Sequence, residues 1–370
     1  MAAPLLWDIF CRVIDNYGDV GVSWRLAADL ASRGQSVRLW IDDPSALAWM
    51  APGGVAGVKV LTWHKPGLDV ETAALEPADV VIETFGCNPP ENFITRMTQR
   101  ATAPMWINLE YLSAEPYVER SHGLPSPVLS GPGRGLTKWF FYPGFNPRTG
   151  GLLREPHLLT QRSAFDRDAW LGGLGLQRRS AERVVSLFAY ASAPFRELVA
   201  QLDRASEPPT LLLLAAGSAQ AGFLAQMQAV PSSSRLRVHA MPWLSQTNFD
   251  RLLWSSELNF VRGEDSLVRA LWAGAPFVWQ AYPQRSGVHA KKIGAMLDCM
   301  LDGSALQHAP PVVFSGALRA LWLAWNGLAT WPQRLPETQA WRSQSQAWRS
   351  HLTAQPDLAT QLLGFVAQKR

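Results

Sequence analysis

Asp15 and Asp19 stand four residues apart in the run Asp15-Asn16-Tyr17-Gly18-Asp19-Val20-Gly21, directly after the first apolar stretch of the chain. Two carboxylates on one bend can hold a cation and take up a proton from it, the work of a general base with a positioning partner. Gly18 and Gly21 permit unusual backbone conformations or the close approach of a ligand to the main chain. A plainer reading competes, in which Asp15 caps a turn and Asp19 caps the helix that follows. The second run with chemical content is Arg262-Gly263-Glu264-Asp265-Ser266, between an apolar strand and a helix that ends at Gly274. The N–H groups of a helix start attract phosphate, and Arg262 and Ser266 add a cation and a hydroxyl. Glu264 and Asp265 also have a capping reading. Asp166-Arg167-Asp168 has the D-x-D form of a metal-dependent sugar transferase, but its place at the start of a helix over 165–171 reads as a cap.

The elements that must carry these runs alternate between strand and helix. Apolar stretches predict strands at Leu5–Ile14, Val37–Ile41, Val58–Thr62, Val80–Thr84 and Met105–Leu109, with helices near 23–32, 45–50 and 91–100. The pattern restarts with strands at Val184–Tyr190, Leu211–Ala215, Arg237–Ala240, Leu258–Val261 and Phe277–Trp279, and helices near 195–204, 219–227, 247–255 and 265–273. Such alternation predicts parallel sheets covered on both faces, with loops at the C-terminal strand ends carrying the chemistry. Between the halves, Gly131 to Gly151 is rich in Gly, Pro and aromatics and reads as a loop leading to a domain boundary. Residues 1–152 are expected to form an N-terminal domain, 153–345 a C-terminal one, and 346–370 a tail helix returning to the first. Ala340-Trp341-Arg342-Ser343 recurs as Ala347-Trp348-Arg349-Ser350, which puts both tryptophans on one helix face for packing.

Composition excludes several classes. With 370 residues, the chain is long for a single core and suggests two domains. Hydrophobic residues at 47% and charged residues at 17% describe a globular protein, and no apolar run approaches a membrane span. Leu5-Leu6-Trp7-Asp8, broken by a charge and without a basic leader, reads as a buried strand and not a signal peptide, so a cytoplasmic location is expected. The net charge of +4 comes without a basic cluster, which argues against nucleic acid. Cys11, Cys87 and Cys299 lack C-x-x-C spacing and the seven histidines lack ligand spacing, so neither disulfide nor metal is expected. The dinucleotide fingerprint G-x-G-x-x-G and the P-loop are both absent after the first strand.

The D-N-Y-G-D-x-G-V-x-W-R-L run at 15–26, L-F-A-Y at 187–190, N-F-D at 248–250 and R-G-E-D-S at 262–266 together resemble the elongation factor P arginine rhamnosyltransferase (EarP) family. The resemblance runs over nearly the whole chain in the same order. It implies two Rossmann-like domains facing a cleft, the GT-B architecture, and an inverting, metal-independent transfer of rhamnose. The implied donor is dTDP-β-L-rhamnose, the acceptor an arginine of elongation factor P, and no cofactor is required. On the implied site, Asp19 is the general base, Asp15 positions the guanidinium, and Glu264 assists from the other domain; Asn16, Tyr17, Gly18 and Gly21 complete the loop. Arg262 and Ser266 receive the leaving diphosphate, with Asp265 ordering that loop or touching the nucleotide. Phe188 and Phe249 stack on thymine, Tyr190 lies near the diphosphate and Gln246 contacts the base. Two alternatives stay open: a GT-B transferase with another nucleotide sugar and a small or lipid acceptor, and a non-catalytic nucleotide-sugar binder.

Overall fold

The computed structural model describes residues 4–14, 17–63, 75–228, 235–283, 287–303 and 310–370. They separate into two compact units, Met1–Glu155 with Gln355–Arg370, and Pro156–Ala354. In the first unit, β1 Leu6–Cys11, β2 Ser36–Ile41, β3 Val58–Thr62, β4 Val80–Thr84, β5 Met105–Leu109, β6 Pro125–Pro127 and β7 Thr137–Phe141 form one sheet. Its order is β3-β2-β1-β4-β5-β7-β6, and β6 pairs antiparallel with β7 while the other pairs are parallel. Side chains alternate across β1: Trp7, Ile9 and Cys11 join a core with helix Gly18–Ser32, while Phe10 packs with Trp40, Val81 and Trp106 on the other face. Burial on both faces is why these strands read as continuous apolar runs.

The chain's last helix, Leu358–Lys369, adds Leu358, Ala359, Leu362 and Val366 to the first of those cores. Its cap residue Asp357 accepts from Thr360 N at 2.9 Å and from Arg33 Nη2 at 2.8 Å, and Arg33 also donates to the buried Asp29. Burial pushes the Asp29 carboxyl up to about 6 against the pull of Arg33.

The second unit holds β8 Arg183–Leu187, β9 Thr210–Leu214, β10 Leu236–Ala240, β11 Leu258–Arg262 and β12 Phe277–Gln280. They form a parallel sheet in the order β10-β9-β8-β11-β12. Helices Gln246–Ser255 and Gly263–Ala273 are clamped by a buried two-pronged pair, Arg269 Nε to Asp250 Oδ1 at 2.8 Å and Nη2 to Oδ2 at 2.7 Å. Removing one side of such a pair strands the other charge. Arg269→Met is therefore expected to destabilise this unit by about 3–5 kcal/mol in urea unfolding, whereas a loss under about 1 kcal/mol would contradict the clamp. Trp341 and Trp348 are both buried along helix Thr338–Thr353, as the repeated tetrapeptide predicts.

Three expectations change. The stretch 131–151 is not one loop, because β7 lies inside it and pairs with β5; flanking Gly and Pro mask the strand-forming Thr137–Phe141. The helix after β1 starts at Gly18 and not near Ser23. Residues 346–370 are not one tail, since Thr338–Thr353 belongs to the second unit and Leu358–Lys369 to the first.

Each sheet has a reversal of strand order beside its first strand. The chain moves outward from β1 through β2 to β3 and resumes on the opposite side of β1 at β4; likewise it goes from β8 to β10 and resumes at β11. The crevice at the C-terminal ends of the two strands flanking such a reversal is where open parallel sheets bind ligands. The Asp15–Gly21 loop follows β1, and Arg262–Ser266 ends β11.

Candidate active site

At the β8/β11 reversal, strand β8 ends at Leu187, so Phe188 and Tyr190 stand beyond it, half-buried, with Phe188 packed against the core that holds Val184 and Leu211. Phe188 N still donates to Phe260 O at 2.9 Å, which holds the exit of the strand against β11. Arg262 is the last residue of β11 and is only 8% exposed. Its Cζ sits 4.4 Å from the Phe188 ring centre and 4.5 Å from that of Tyr190. The guanidinium has no carboxylate or hydrogen-bond partner among the described residues, and its Nε is buried without one. A cation taken out of water with only ring faces for company is a site prepared for an anion.

The backbone approaches the cation closely. Gly217 comes so close that a β-carbon there would lie 3.3 Å from Phe188 Cε2 and 4.0 Å from Arg262 Nη2. Gly263 takes a left-handed φ of 69° and opens helix Gly263–Ala273, and its carbonyl accepts from Trp279 Nε1 at 2.9 Å. The helix start thus presents its N–H end beside Arg262. At the far end, Arg162 Nε and Arg349 Nη1 donate to Ala273 O at 3.3 and 3.4 Å, which complements the negative end of the helix. Glu264 and Asp265 lie half-buried in the first turn. The Ser266 hydroxyl donates to Arg262 O and accepts from Arg262 N at 3.2 Å. It therefore shapes the Arg262 turn, where the sequence suggested a hydroxyl aimed at phosphate.

Phe249 meets Phe188 edge to face, ring centres 5.3 Å apart and planes at 71°. It is one turn along from Gln246, the buried first residue of helix Gln246–Ser255, whose Ser245 cap accepts from Asn248 N at 3.3 Å. Phe188, Tyr190, Phe249 and Arg262 are thus brought together. Sequence reasoning missed Gln280, which stands opposite Arg262 on β12 and accepts from Tyr190 N at 2.7 Å. A polar residue closing the apolar strand Phe277–Trp279 was the available signal. Gly217 had none, because only the topology brings it to Phe188.

At the β1/β4 reversal, Asp19 is the second residue of helix Gly18–Ser32 and 9% exposed. Its Oδ2 accepts from Ile14 N at 3.2 Å, which ties the start of the helix to the segment leaving β1. The helix's first turns are tied to the sheet where Ser23 Oγ donates to Thr84 Oγ1 at 3.3 Å and Thr84 to Phe10 O at 2.8 Å. Burial, helped by the Asp19 charge, pushes the neighbouring Cys11 thiol up to about 12 and leaves it inert as a thiolate. Tyr17 packs edge-on against Trp49 at 5.3 Å. Gly18 is helical and not left-handed, with nothing within 4 Å of where a β-carbon would stand. Asp15 and Asn16 lie outside the described residues. Asp166 accepts from Ala169 N at 3.0 Å, so the D-x-D sequence is a helix cap.

Residues 7–367 match the family described as Elongation-Factor P (EF-P) rhamnosyltransferase EarP. The chain is 41% identical to a protein-arginine rhamnosyltransferase of Pseudomonas aeruginosa across 98% of both proteins. With one of Neisseria meningitidis it shares 36% identity over 99% of this chain and 98% of that one. A solved structure described as the basis for EarP-mediated arginine glycosylation of translation elongation factor EF-P matches with 30% identity and a TM-score of 0.62, over 99% of this chain and 100% of the other. The calicheamicin glycosyltransferase CalG4 matches over 100% of both chains with a TM-score of 0.54 at 14% identity, a likeness of fold alone. The architecture is that of the GT-B glycosyltransferases.

Proposed function

The chain belongs to the EarP family of protein-arginine rhamnosyltransferases, and on that footing we propose that it moves L-rhamnose from dTDP-β-L-rhamnose to an arginine of elongation factor P, with inversion and without a metal ion. The observation that carries this reading is Arg262, buried and without a carboxylate partner among the described residues, between Phe188 and Tyr190 at the start of helix Gly263–Ala273. The leaving dTDP gathers charge on its diphosphate as the sugar bond breaks. Arg262 and the helix N–H groups stabilise that charge, and they are already in place before the reaction begins. Phe188 and Phe249 offer ring surface for thymine, Gln246 an amide for its imide edge.

The nucleophile sets the demand on the other unit. An arginine guanidinium has a pKa of about 13.8, so full deprotonation near pH 7 would cost roughly 9 kcal/mol. The economical course is to grip the cation and remove its proton only as the new C–N bond forms and the nitrogen becomes acidic. Asp19 takes that proton, Asp15 orients the guanidinium from the same loop, and Glu264 steadies sugar or arginine. Donor and acceptor are tested together by chromatographic detection of dTDP. Release from dTDP-β-L-rhamnose is expected to require elongation factor P and to fail with UDP-glucose. A folded, dTDP-binding enzyme that releases none with elongation factor P present, or that uses UDP-glucose equally well, would move the assignment to one of the alternatives.

A further inference from the structure

The first unit holds a carboxylate whose situation mirrors that of Arg262. Glu110 follows β5 directly, half-buried, and makes no ion pair among the described residues. The nearest cation is already engaged, Lys138 Nζ with Glu83 at 2.5 Å. Glu110 is held in place by an amide and not by a charge, since Asn108 Nδ2 donates to its Oε1 at 2.7 Å. The same Asn108 accepts from Gly86 N at 3.1 Å through Oδ1, and Phe85 N donates to Leu109 O at 2.7 Å, so the turn leaving β4 is locked onto the end of β5. That turn carries Phe85 at a left-handed φ of 58°, an unusual conformation for a bulky residue. The Phe85 ring is parallel to that of the half-exposed Tyr111, 4.3 Å between centres and 10° between planes. Tyr142, which meets Tyr117 edge to face at 5.9 Å, stands within electrostatic reach of the same carboxylate.

A carboxylate with no ion pair among the described residues, its nearby Lys138 already paired with Glu83, beside aromatic rings at a C-terminal strand end, matches a guanidinium or ammonium: the charge pairs and the rings stack. It lies two strands from the Asp19 loop, on the order of 10 Å by ordinary strand spacing, too far to be a second grip on the same nitrogen. We propose that Glu110, with Phe85 and Tyr111, receives a second basic side chain of the acceptor protein, one other than the arginine that is modified. This inference rests on the proposed protein-arginine transfer and adds a determinant of acceptor choice.

The test is steady-state transfer to elongation factor P by Glu110→Gln, Glu110→Asp and the parent. Glu110→Gln is expected to raise KM for the acceptor about tenfold, the size of one charge-assisted hydrogen bond. Its kcat at saturating acceptor, its dTDP affinity and its melting temperature should match the parent, and Glu110→Asp should recover part of the loss. An unchanged acceptor KM in Glu110→Gln, or a loss of dTDP affinity and thermal stability along with it, would overturn the role. If the parent itself shows no transfer, the functional reading fails; if it turns over while Glu110→Gln is unmoved, only the Glu110 assignment falls.

Discussion

Asp19→Asn is expected to lower kcat for transfer about 10²–10⁴-fold, the usual contribution of a general base, while dTDP affinity and folding stay near those of the parent. The substitution is selective because the structural duty of Asp19 survives it. The asparagine carbonyl can still accept from Ile14 N, the contact that ties the helix start to the segment leaving β1. What disappears is the ability to take a proton and the negative charge offered to a guanidinium, both needed only when the C–N bond forms. Rapid-quench assays at saturating donor and acceptor report this step. A kcat within tenfold of the parent would assign the proton to another group in the loop.

Arg262→Ala should act on the other half of the reaction, with a different signature. Calorimetry is expected to show dTDP binding weakened by about 1–3 kcal/mol, as for a lost charge-assisted hydrogen bond. Thymidine, which lacks the diphosphate, should bind both proteins alike. Stability of the ligand-free protein should barely fall, because the deletion removes a buried charge with no carboxylate partner among the described residues; the lost ring contacts at 4.4 and 4.5 Å set the size of any decrease. This contrasts with Arg269→Met, where the same loss of charge leaves Asp250 stranded. Equal dTDP affinities for Arg262→Ala and the parent would remove Arg262 from the diphosphate site.

How much of this could be read from residue order differs by element. Val58–Thr62, Val80–Thr84 and Met105–Leu109 are strands with the expected bounds, because an apolar run between polar turns has few other ways to bury itself. β7 escaped because the signal of five residues was swamped by the glycines and prolines around it. Helix Gly18–Ser32 begins earlier than its periodicity suggested, since glycines are poor helix formers and here tertiary anchoring through Ser23 and Thr84 sets the start. In the site, Phe188 and Tyr190 at alternate positions implied a strand face; the sheet ends before them, which leaves both half-buried at the strand end, Phe188 still against the core. That Arg262 and Glu110 make no ion pair among the described residues had no local signal at all, because pairing depends on which distant elements the topology brings near.

The central claim is that a protein arginine is the nucleophile and the Asp19 loop its acceptor site. It is tested most directly by intact-mass and fragment-mass measurement of elongation factor P after incubation with dTDP-β-L-rhamnose and this protein. The account predicts a gain of one deoxyhexose confined to a single arginine, formed by the parent and not at a comparable rate by Asp19→Asn. No mass gain with the folded parent, or a sugar placed on a residue other than arginine, would contradict it.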